Sequence, residues 1–239
     1  MYVTHDVLET VRVVVAGDMP DLTRGLEQEV ERLWQAARRE HPQIFNGQVF
    51  TADEITPEVI RGHWTEFRRT LAQICRPELY DDLGVHPLAV NGVIRCGEGV
   101  LIGRRNSRAV YCAGNWQLAP AGSIDQGAAR PDGSIDFERQ VLEELQEELG
   151  LSPNLIVGLT PLCLVEHPET HVTDFGIEMR TSVSADTLLA AHAASGNQEY
   201  EDMRVLPIAS ILSLGDDLLA TVPVFLGHLQ ALEARRNGC

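Results

Sequence analysis

Four glutamates lie within six consecutive positions of the chain: Glu143, Glu144, Glu147 and Glu148. Spacings of three and four residues place such side chains on one face of a helix, where like charges repel one another. The C-terminal end of a helix also disfavours negative charge. A hard divalent cation such as Mg²⁺, or Mn²⁺, would replace this repulsion with coordination, because such ions prefer oxygen ligands. The cluster therefore predicts a magnesium site, and an acidic face open to solvent is the alternative.

A helix over residues 137–149 must carry these carboxylates. Its apolar residues recur at helical spacing and form one stripe, made of Phe137, Val141, Leu142, Leu145 and Leu149. Gly150 follows the stripe, and glycine is the residue that most readily adopts the left-handed conformation at the end of a helix. The pattern predicts a helix with one apolar side packed on a core and the glutamates on the other side.

Strands and a polar loop surround this helix in the sequence. The segments with the apolar pattern of strands are residues 88–94, 100–105, 116–122, 155–165, 174–183 and 203–206. The first two are joined by a glycine-rich turn and predict a hairpin. Residues 123–134 are rich in Gly, Asp and Pro and predict a loop, whereas residues 185–194 and 223–235 predict further helices.

The N-terminal part has its own alternation of elements. Residues 11–15 predict a strand, residues 22–39 a helix, residues 49–50 a short strand and residues 57–75 a second helix. Strands and helices thus alternate along the whole chain, which predicts the α/β class with a mixed β-sheet.

The bulk composition limits the partners. The chain has 239 residues, 35 acidic and 19 basic, for a formal net charge of −16. Such a surface repels nucleic acids and anionic membranes, so neither is expected as a partner, whereas a bound cation can reverse the sign inside one cleft. The five cysteines form no CxxC pair, and no basic leader or membrane span is evident. We expect a soluble, cytoplasmic protein with reduced thiols.

The acidic segment resembles a known motif. Residues 144–151, Glu-Leu-Gln-Glu-Glu-Leu-Gly-Leu, match the second half of the Nudix box, E-U-x-E-E-x-G-U with U aliphatic. Residues 100–105 and 116–122 are similar to the strands that precede the box in that superfamily, and residues 199–207 to its late strand. The resemblance implies a Nudix fold, an α/β/α sandwich around a mixed sheet at residues 86–239, with an N-terminal α+β extension at residues 1–85. It also implies that Glu144, Glu147 and Glu148 are metal ligands and catalytic residues.

The first half of the box does not match. Counting back from Glu144, Glu143 stands where the family has arginine, Ile135 where it has an earlier glutamate, and Ala129 where it has glycine. An insertion in the loop 123–134 explains the shift, with Gly122 as the displaced glycine. Because the family's arginine and glutamate pair, losing both leaves no orphaned charge. The alternative is a Nudix fold that binds a nucleotide without cleaving it.

A closer resemblance concerns residues 33–47, which are similar to the leader of a Nudix subgroup that hydrolyses UDP-glucose and UDP-galactose. The long loop before the box helix and the missing box arginine are also features of that subgroup. The resemblance implies a pyrophosphohydrolase that converts a UDP-sugar into UMP and a sugar 1-phosphate. Hydrolysis of another nucleoside diphosphate derivative, such as ADP-ribose, stays open, as does a homodimer.

Further side chains are candidates for substrate contacts. Arg104, Arg105 and Arg139 could bind phosphate, with surface ion pairs as the alternative, and Gly122 would let the phosphates approach closely. Candidates for a general base are Glu199, Glu201 and Glu166, of which we place Glu201 in the catalytic set. Tyr200 or Trp116 could stack on a base, with core packing as the alternative expected for Trp116. Glu166, His167 and His171 suggest a metal pair, but Pro168 prevents a helix that would place both histidines on one face, so we expect both to be loop residues.

Overall fold

The computed structural model describes residues 2–109, 112–195 and 197–238. The α-helices in that part of the chain are α1 Arg24–Glu40, α2 Phe67–Cys75, α3 Tyr80–Leu83, α4 Phe137–Leu149, α5 Ala185–Ser195, α6 Ile208–Leu212 and α7 Thr221–Asn237. Its β-strands are β1 Val3–Asp6, β2 Arg12–Val15, β3 Gln48–Ile55, β4 Val59–Glu66, β5 Leu88–Cys96, β6 Gly99–Arg105, β7 Trp116–Leu118, β8 Ala121–Ser123, β9 Ser134–Ile135, β10 Ile156–Glu166, β11 Thr173–Thr181 and β12 Tyr200–Leu206. Among the helices described, none has the length and apolar character needed to cross a membrane.

The chain forms two compact units. The first unit contains the residues up to Ala89 together with Ser123–Phe137 and Leu164–Asp174, and the second contains Val90–Gly122, Glu138–Cys163 and the chain from Phe175 onward. The predicted domains, residues 1–85 and 86–239, stay a prediction.

The first unit contains a four-stranded sheet in the order β3-β4-β2-β9. β2 runs parallel to β4, with Val13 opposite Ile60, whereas β3 is antiparallel to β4 and β9 is antiparallel to β2. The sheet is therefore mixed. Val13, Phe50 and Ile60 are buried and form part of its core, as expected for strands rich in β-branched and aromatic residues.

Helices α1 and α2 contribute a second cluster of apolar residues to the first unit. α1 begins after Thr23, whose Oγ1 accepts a hydrogen bond from the Leu26 amide at 3.3 Å. Such a cap satisfies one of the free amides of the first turn. Val30, Ala72 and Leu79 are buried together where these helices pack, so the helical period predicted for α1 corresponds to a real packing face.

Most residues of strands β10, β11, β5, β6 and β12 belong to the second unit, where the strands pair in that order and β7 pairs with β6. β12 is antiparallel to β6, with Met203 opposite Gly103. α4 packs with its predicted stripe inward, since Val141, Leu145 and Leu149 are buried. α7 buries Phe225 and Leu229 among others. Sheets and helices together confirm the predicted α/β class with a mixed sheet.

One predicted element is wrong. Residues 57–75 do not form one helix, because Val59–Glu66 is strand β4 and only Phe67–Cys75 is helical. The strand pairs on both sides, with β3 and with β2, and tertiary pairing of this kind overrides a weak local preference. The two strands β3 and β4 approach each other closely at Gly62, where a Cβ would collide with the backbone oxygen of Thr51.

Candidate functional site

Helix α4 exposes its carboxylates to different degrees because its apolar stripe is fixed in the core. Leu145 and Leu149 are buried. Glu148 precedes Leu149 and is only 8% exposed, whereas Glu144 is half-buried and Glu147 is exposed. The three predicted metal ligands thus comprise a buried, a half-buried and an exposed carboxylate.

Glu148 is a buried acid held by two donors. Its Oε2 accepts a hydrogen bond from the Ala121 amide at 3.0 Å and another from the Tyr200 hydroxyl at 2.9 Å. Burial, and next the negative charge of Glu144, raise the pKa of the Glu148 carboxyl to about 8. Without a cation, the second unit therefore holds this carboxyl in an environment that disfavours its charged form.

Gly122 brings the backbone close to the second carboxylate. A Cβ at this position would overlap the carboxylate of Glu144 where it now lies, so a larger residue here would displace that carboxylate. Glu144 Oε1 also accepts a hydrogen bond from Gln140 Nε2 at 2.9 Å, across one helical turn. The strand segment 121–122 thus contacts both Glu144 and Glu148, and this contact gives a physical reason for the glycine that the sequence singled out.

A series of hydrogen-bonded polar side chains leads from Glu148 to Arg105. The Tyr200 hydroxyl accepts from Gln117 Nε2 at 3.0 Å, and Gln117 Oε1 accepts from Arg105 Nη1 at 3.4 Å. Arg105 Nη2 also pairs with Glu199 at 3.0 Å. Arg105 Nε is buried and has no hydrogen-bond partner among the described residues. This series of side chains therefore ends in a donor that a bound anion could use.

Sequence reasoning missed Gln117 and gave Tyr200 the wrong contact. Both side chains are 4% exposed, and Tyr200 donates to Glu148 rather than offering a free ring face to a base. The burial of Tyr200 raises its pKa well above the usual value, and the charge of Glu148 acts in the same direction. The available signal was a glutamine between Trp116 and Leu118 in a short buried strand, since buried amides need partners.

The arginines differ in their surroundings. Arg104 is exposed and donates from Nε to the Gly114 carbonyl at 3.1 Å. Arg139 Nε pairs with Glu143 at 2.7 Å on the exposed side of α4. Glu143, which stands in the arginine position of the box, is therefore part of a surface ion pair of the kind that contributes little stability.

The candidate bases lie in three places. Glu201 is exposed and accepts the Ser107 amide at 2.8 Å, and that hydrogen bond lowers the pKa of its carboxyl. Glu199 holds Arg105, as described above. Glu166 belongs to the first unit, where it bonds with His171 at 2.6 Å.

Trp116, the other candidate for stacking on a base, is buried. The Arg204 guanidinium lies 4.8 Å from the centre of its ring. Trp116 is therefore a packed core residue in contact with a cation, which was the alternative outcome expected for it.

The residues around Glu144 and Glu148 fit a hard divalent cation. Two carboxylates approach the same strand segment, one of them is buried at an energetic cost, and a glycine leaves the space that Glu144 occupies. Oxygen donors of this kind suit Mg²⁺ or Mn²⁺. Within the described part of the chain, Glu147 does not join them in a group of three ligand atoms that all lie within 4.8 Å of one another.

A pocket lies within the first unit. It has a volume of about 600 Å³ and is lined by Gln43, Ile44, Phe45, Gly47, Gln48, Val49, Phe67, Ser123, Asp125, Gln126 and Gly127. Cavities of this size hold small molecules in many proteins. None of the side chains predicted as catalytic or substrate-binding belongs to this lining.

No family model matches the chain, and no curated protein matches it significantly. Among solved structures, the MutT protein from Methanosarcina mazei Go1 is 22% identical over 63% of this chain and 94% of its own, with a TM-score of 0.39. The MutT Nudix hydrolase from Burkholderia pseudomallei is 20% identical over 59% and 96%, with a TM-score of 0.41.

A third similar structure is NrtR from Shewanella oneidensis complexed with a 27mer DNA. It is 22% identical over 63% of this chain and 60% of its own, with a TM-score of 0.39. At identities and TM-scores this low, the likenesses do not assign the chain to a family.

Proposed function

We propose that this chain is a Nudix-type pyrophosphohydrolase that depends on a divalent cation. It would cleave the diphosphate of a nucleoside diphosphate linked to another group. The proposal rests on the box residues 144–151 and on the local geometry of the second unit. Its single strongest support is the buried carboxylate Glu148, held beside Glu144 at the strand segment 121–122.

The second unit needs a positive charge to bind such a substrate. The whole chain carries a formal net charge of −16, and two carboxylates meet at the proposed site. Mg²⁺, when bound there, would neutralise charge on the diphosphate and lower the pKa of an attacking water. Glu144 and Glu148 are the proposed inner ligands, and Glu147 is the proposed ligand from the solvent side.

The chain's own residues would then position the substrate. Arg105 Nε is a buried donor without a partner among the described residues, which suits it to a phosphate oxygen. Gly122 remains a proposed substrate-binding residue, and since the Glu144 carboxylate fills the space where its Cβ would lie, it would act by leaving room for that metal ligand. Arg104 and Arg139 remain proposed phosphate contacts at the surface. Glu201 remains the proposed general base. Its lowered pKa keeps it ionised at neutral pH but makes it a weaker base than an ordinary glutamate.

We propose a UDP-sugar as the substrate, on the similarity of residues 33–47 to the UDP-glucose and UDP-galactose hydrolases. The test uses the full chain with Mg²⁺ and a panel of UDP-glucose, UDP-galactose, ADP-ribose, dinucleoside polyphosphates and NADH. Product analysis should show UMP and a sugar 1-phosphate from the UDP-sugars, and none after chelation of Mg²⁺. Turnover of ADP-ribose alone would remove the sugar assignment and keep the hydrolase, whereas no turnover of any compound would contradict the hydrolase.

A second candidate function has its own support. Glu147 is exposed and does not cluster with Glu144 and Glu148, which suits a unit that binds a nucleotide diphosphate without cleaving it. Isothermal titration distinguishes the two functions. Saturable binding of a UDP-sugar in the presence of Mg²⁺, with no product after prolonged incubation, would favour the binding protein.

A further inference from the structure

Three histidines and a glutamate from three separate segments lie near one another within the first unit. They are His5 on β1, His86 just before β5, Glu166 at the end of β10, and His171 in the following loop. We infer that these side chains form a second metal site, independent of the acidic box, for a late first-row divalent cation of the Zn²⁺ type. This inference goes beyond the proposed hydrolase and does not depend on it.

The ligand atoms are already close together. One ligand atom each from His86, Glu166 and His171 lies within 4.8 Å of the other two. Glu166 Oε1 is 3.5 Å from His86 Nδ1 and 2.6 Å from His171 Nδ1. Two ligands bound at about 2.1 Å to a tetrahedral Zn²⁺ lie roughly 3.4 Å apart. To bind one cation together, Glu166 Oε1 and His171 Nδ1 would therefore have to move apart by less than about 1 Å.

His5 offers a fourth donor beside the other oxygen of Glu166, outside the group of three ligand atoms that all lie within 4.8 Å of one another, so its ring would have to move toward the cation. His5 Nε2 is 3.8 Å from Glu166 Oε2. That nitrogen is buried and has no hydrogen-bond partner among the described residues. A buried polar atom without a partner is uncommon and calls for a bound group, and a metal ion at this point would satisfy it.

The surrounding side chains orient two of the rings. The Tyr80 hydroxyl bonds with His86 Nε2 at 2.9 Å, so the other ring nitrogen, Nδ1, is the one that faces Glu166. The Tyr80 ring also stacks on the His171 ring with 3.4 Å between their centroids. Metal-binding histidines are commonly held, as His86 is by Tyr80, by a hydrogen bond to the ring nitrogen that does not bind the metal.

The kind of donor decides the kind of cation. Imidazole nitrogens suit zinc and its neighbours, whereas Mg²⁺ prefers oxygen. Three imidazoles and one carboxylate fill the four positions of a tetrahedral Zn²⁺ and leave none for substrate. The site would therefore be structural. In the folded chain it would link His5 near the N-terminus to residues about 80 and 160 positions later, and the free energy of metal binding would add to the stability of the fold.

The experiment measures zinc in the full chain after removal of any affinity tag. The protein is stripped with a chelator, incubated with ZnCl₂, passed through a desalting column and analysed by mass spectrometry for metal. We expect about one zinc per chain and a raised melting temperature, since a ligand that binds only the folded state stabilises it. Mg²⁺ at the same concentration should not displace the zinc.

Variants test which residues bind it. His171→Asn removes the ring at a residue whose φ is +56°, a conformation that asparagine tolerates better than most residues. His171→Asn and Glu166→Gln should lose the retained zinc and the shift in melting temperature. His41→Asn, a matched change at a half-buried histidine outside the cluster, and Glu148→Gln should keep both.

Two results would overturn the inference. One is wild-type chain that retains no zinc and shows no thermal shift, in which case the four side chains are only a hydrogen-bonded cluster. The other is equal retention by wild type, His171→Asn and Glu166→Gln, which would place the zinc elsewhere. Visible absorption of the Co²⁺-loaded wild-type chain serves as a second measurement that needs no variant, and a spectrum without four-coordinate bands also counts against the site.

Discussion

At the scale of single residues, the site depends on a carboxylate in an unfavourable place. Glu148 is 8% exposed and lies beside Glu144. Its two hydrogen bonds, from the Ala121 amide and the Tyr200 hydroxyl, compensate only part of the cost of burying its charge. A cation bound to both carboxylates would remove the remaining penalty, so the metal-free protein should show that penalty in its stability.

The stability of the metal-free protein should therefore depend on pH. The pKa of Glu148 is about 8 in the folded chain, above its ordinary value of 4.5. Between those values the folded state holds a proton that the unfolded state releases, so the free energy of unfolding falls as pH rises. Urea unfolding in chelator from pH 4.5 to 9 measures this.

The control for this measurement is Glu148→Gln, which cannot ionise and should lose the part of the decline that Glu148 causes. Saturating Mg²⁺ should also restore stability to the wild type above pH 8. If wild type and Glu148→Gln showed the same dependence on pH, the buried carboxyl would not be the cause.

Gly122 is the second residue that bears on the site, because it leaves room for the Glu144 carboxylate where that group now lies. In Gly122→Ala the new methyl group would overlap the Glu144 carboxylate, and that carboxylate would have to move. We expect Mg²⁺-dependent turnover to fall roughly 10- to 100-fold, the range seen when groups that orient metal ligands are altered. Steady-state kinetics as a function of Mg²⁺ concentration measures the effect.

Gly97→Ala is the matched control, since a Cβ at Gly97 meets nothing within 4 Å. It should leave turnover unchanged. Normal kinetics in Gly122→Ala, with the chain correctly folded, would mean that Glu144 does not need its observed position.

At the scale of elements, helix α4 is the part that sequence reasoning described best. The predicted span of residues 137–149 is the observed one, because a strong apolar stripe and a terminal glycine give an unambiguous local signal. Strand β4 was missed because it lies between β3 and β2, and its pairing with β2 joins residues 47 positions apart, such as Arg12 and Val59. Local patterns carry no information about such pairing.

The residues of the site also divide into those that a local motif indicates and those that only distant contacts bring together. The glutamates of α4 and Gly122 could be predicted because a short motif contains or precedes them. The hydrogen bonds from Gln117 to Tyr200 and from Tyr200 to Glu148 join residues 83 and 52 positions apart, so no local pattern indicates them. From the sequence, a metal pair at His167 and His171 is rejected because Pro168 prevents a helix there, and no local pattern shows that His86 lies beside Glu166.

The packing of α4 gives a prediction for the element itself. Leu145 is buried, and Leu145→Ala should lower the free energy of unfolding by about 2–5 kcal/mol, because it leaves a cavity in a packed core. The neighbouring control Gln146→Ala changes an exposed side chain and should stay within about 0.5 kcal/mol of wild type. Urea denaturation midpoints measure both, and equal effects would mean that the helix is rotated from its observed orientation.

At the scale of the whole molecule, charge links the fold to the proposed chemistry. A chain with a formal net charge of −16 repels anionic substrates at long range. Its two units each contain a group of side chains with donors suited to a cation. The oxygen donors of α4 suit Mg²⁺, and the imidazoles around Glu166 suit Zn²⁺. Bound cations of different kinds would thus serve catalysis in one unit and stability in the other.

The most direct test measures Mg²⁺-dependent hydrolysis of UDP-glucose, or of whichever panel compound wild type cleaves, by Glu144→Gln and Glu148→Gln. Both variants should lose at least about 100-fold in turnover while circular dichroism shows an intact fold, because direct ligands matter at least as much as the groups that orient them. Glu143→Gln, which alters only the surface pair with Arg139, should remain active. Undiminished turnover in both Glu144→Gln and Glu148→Gln would contradict the proposed metal site.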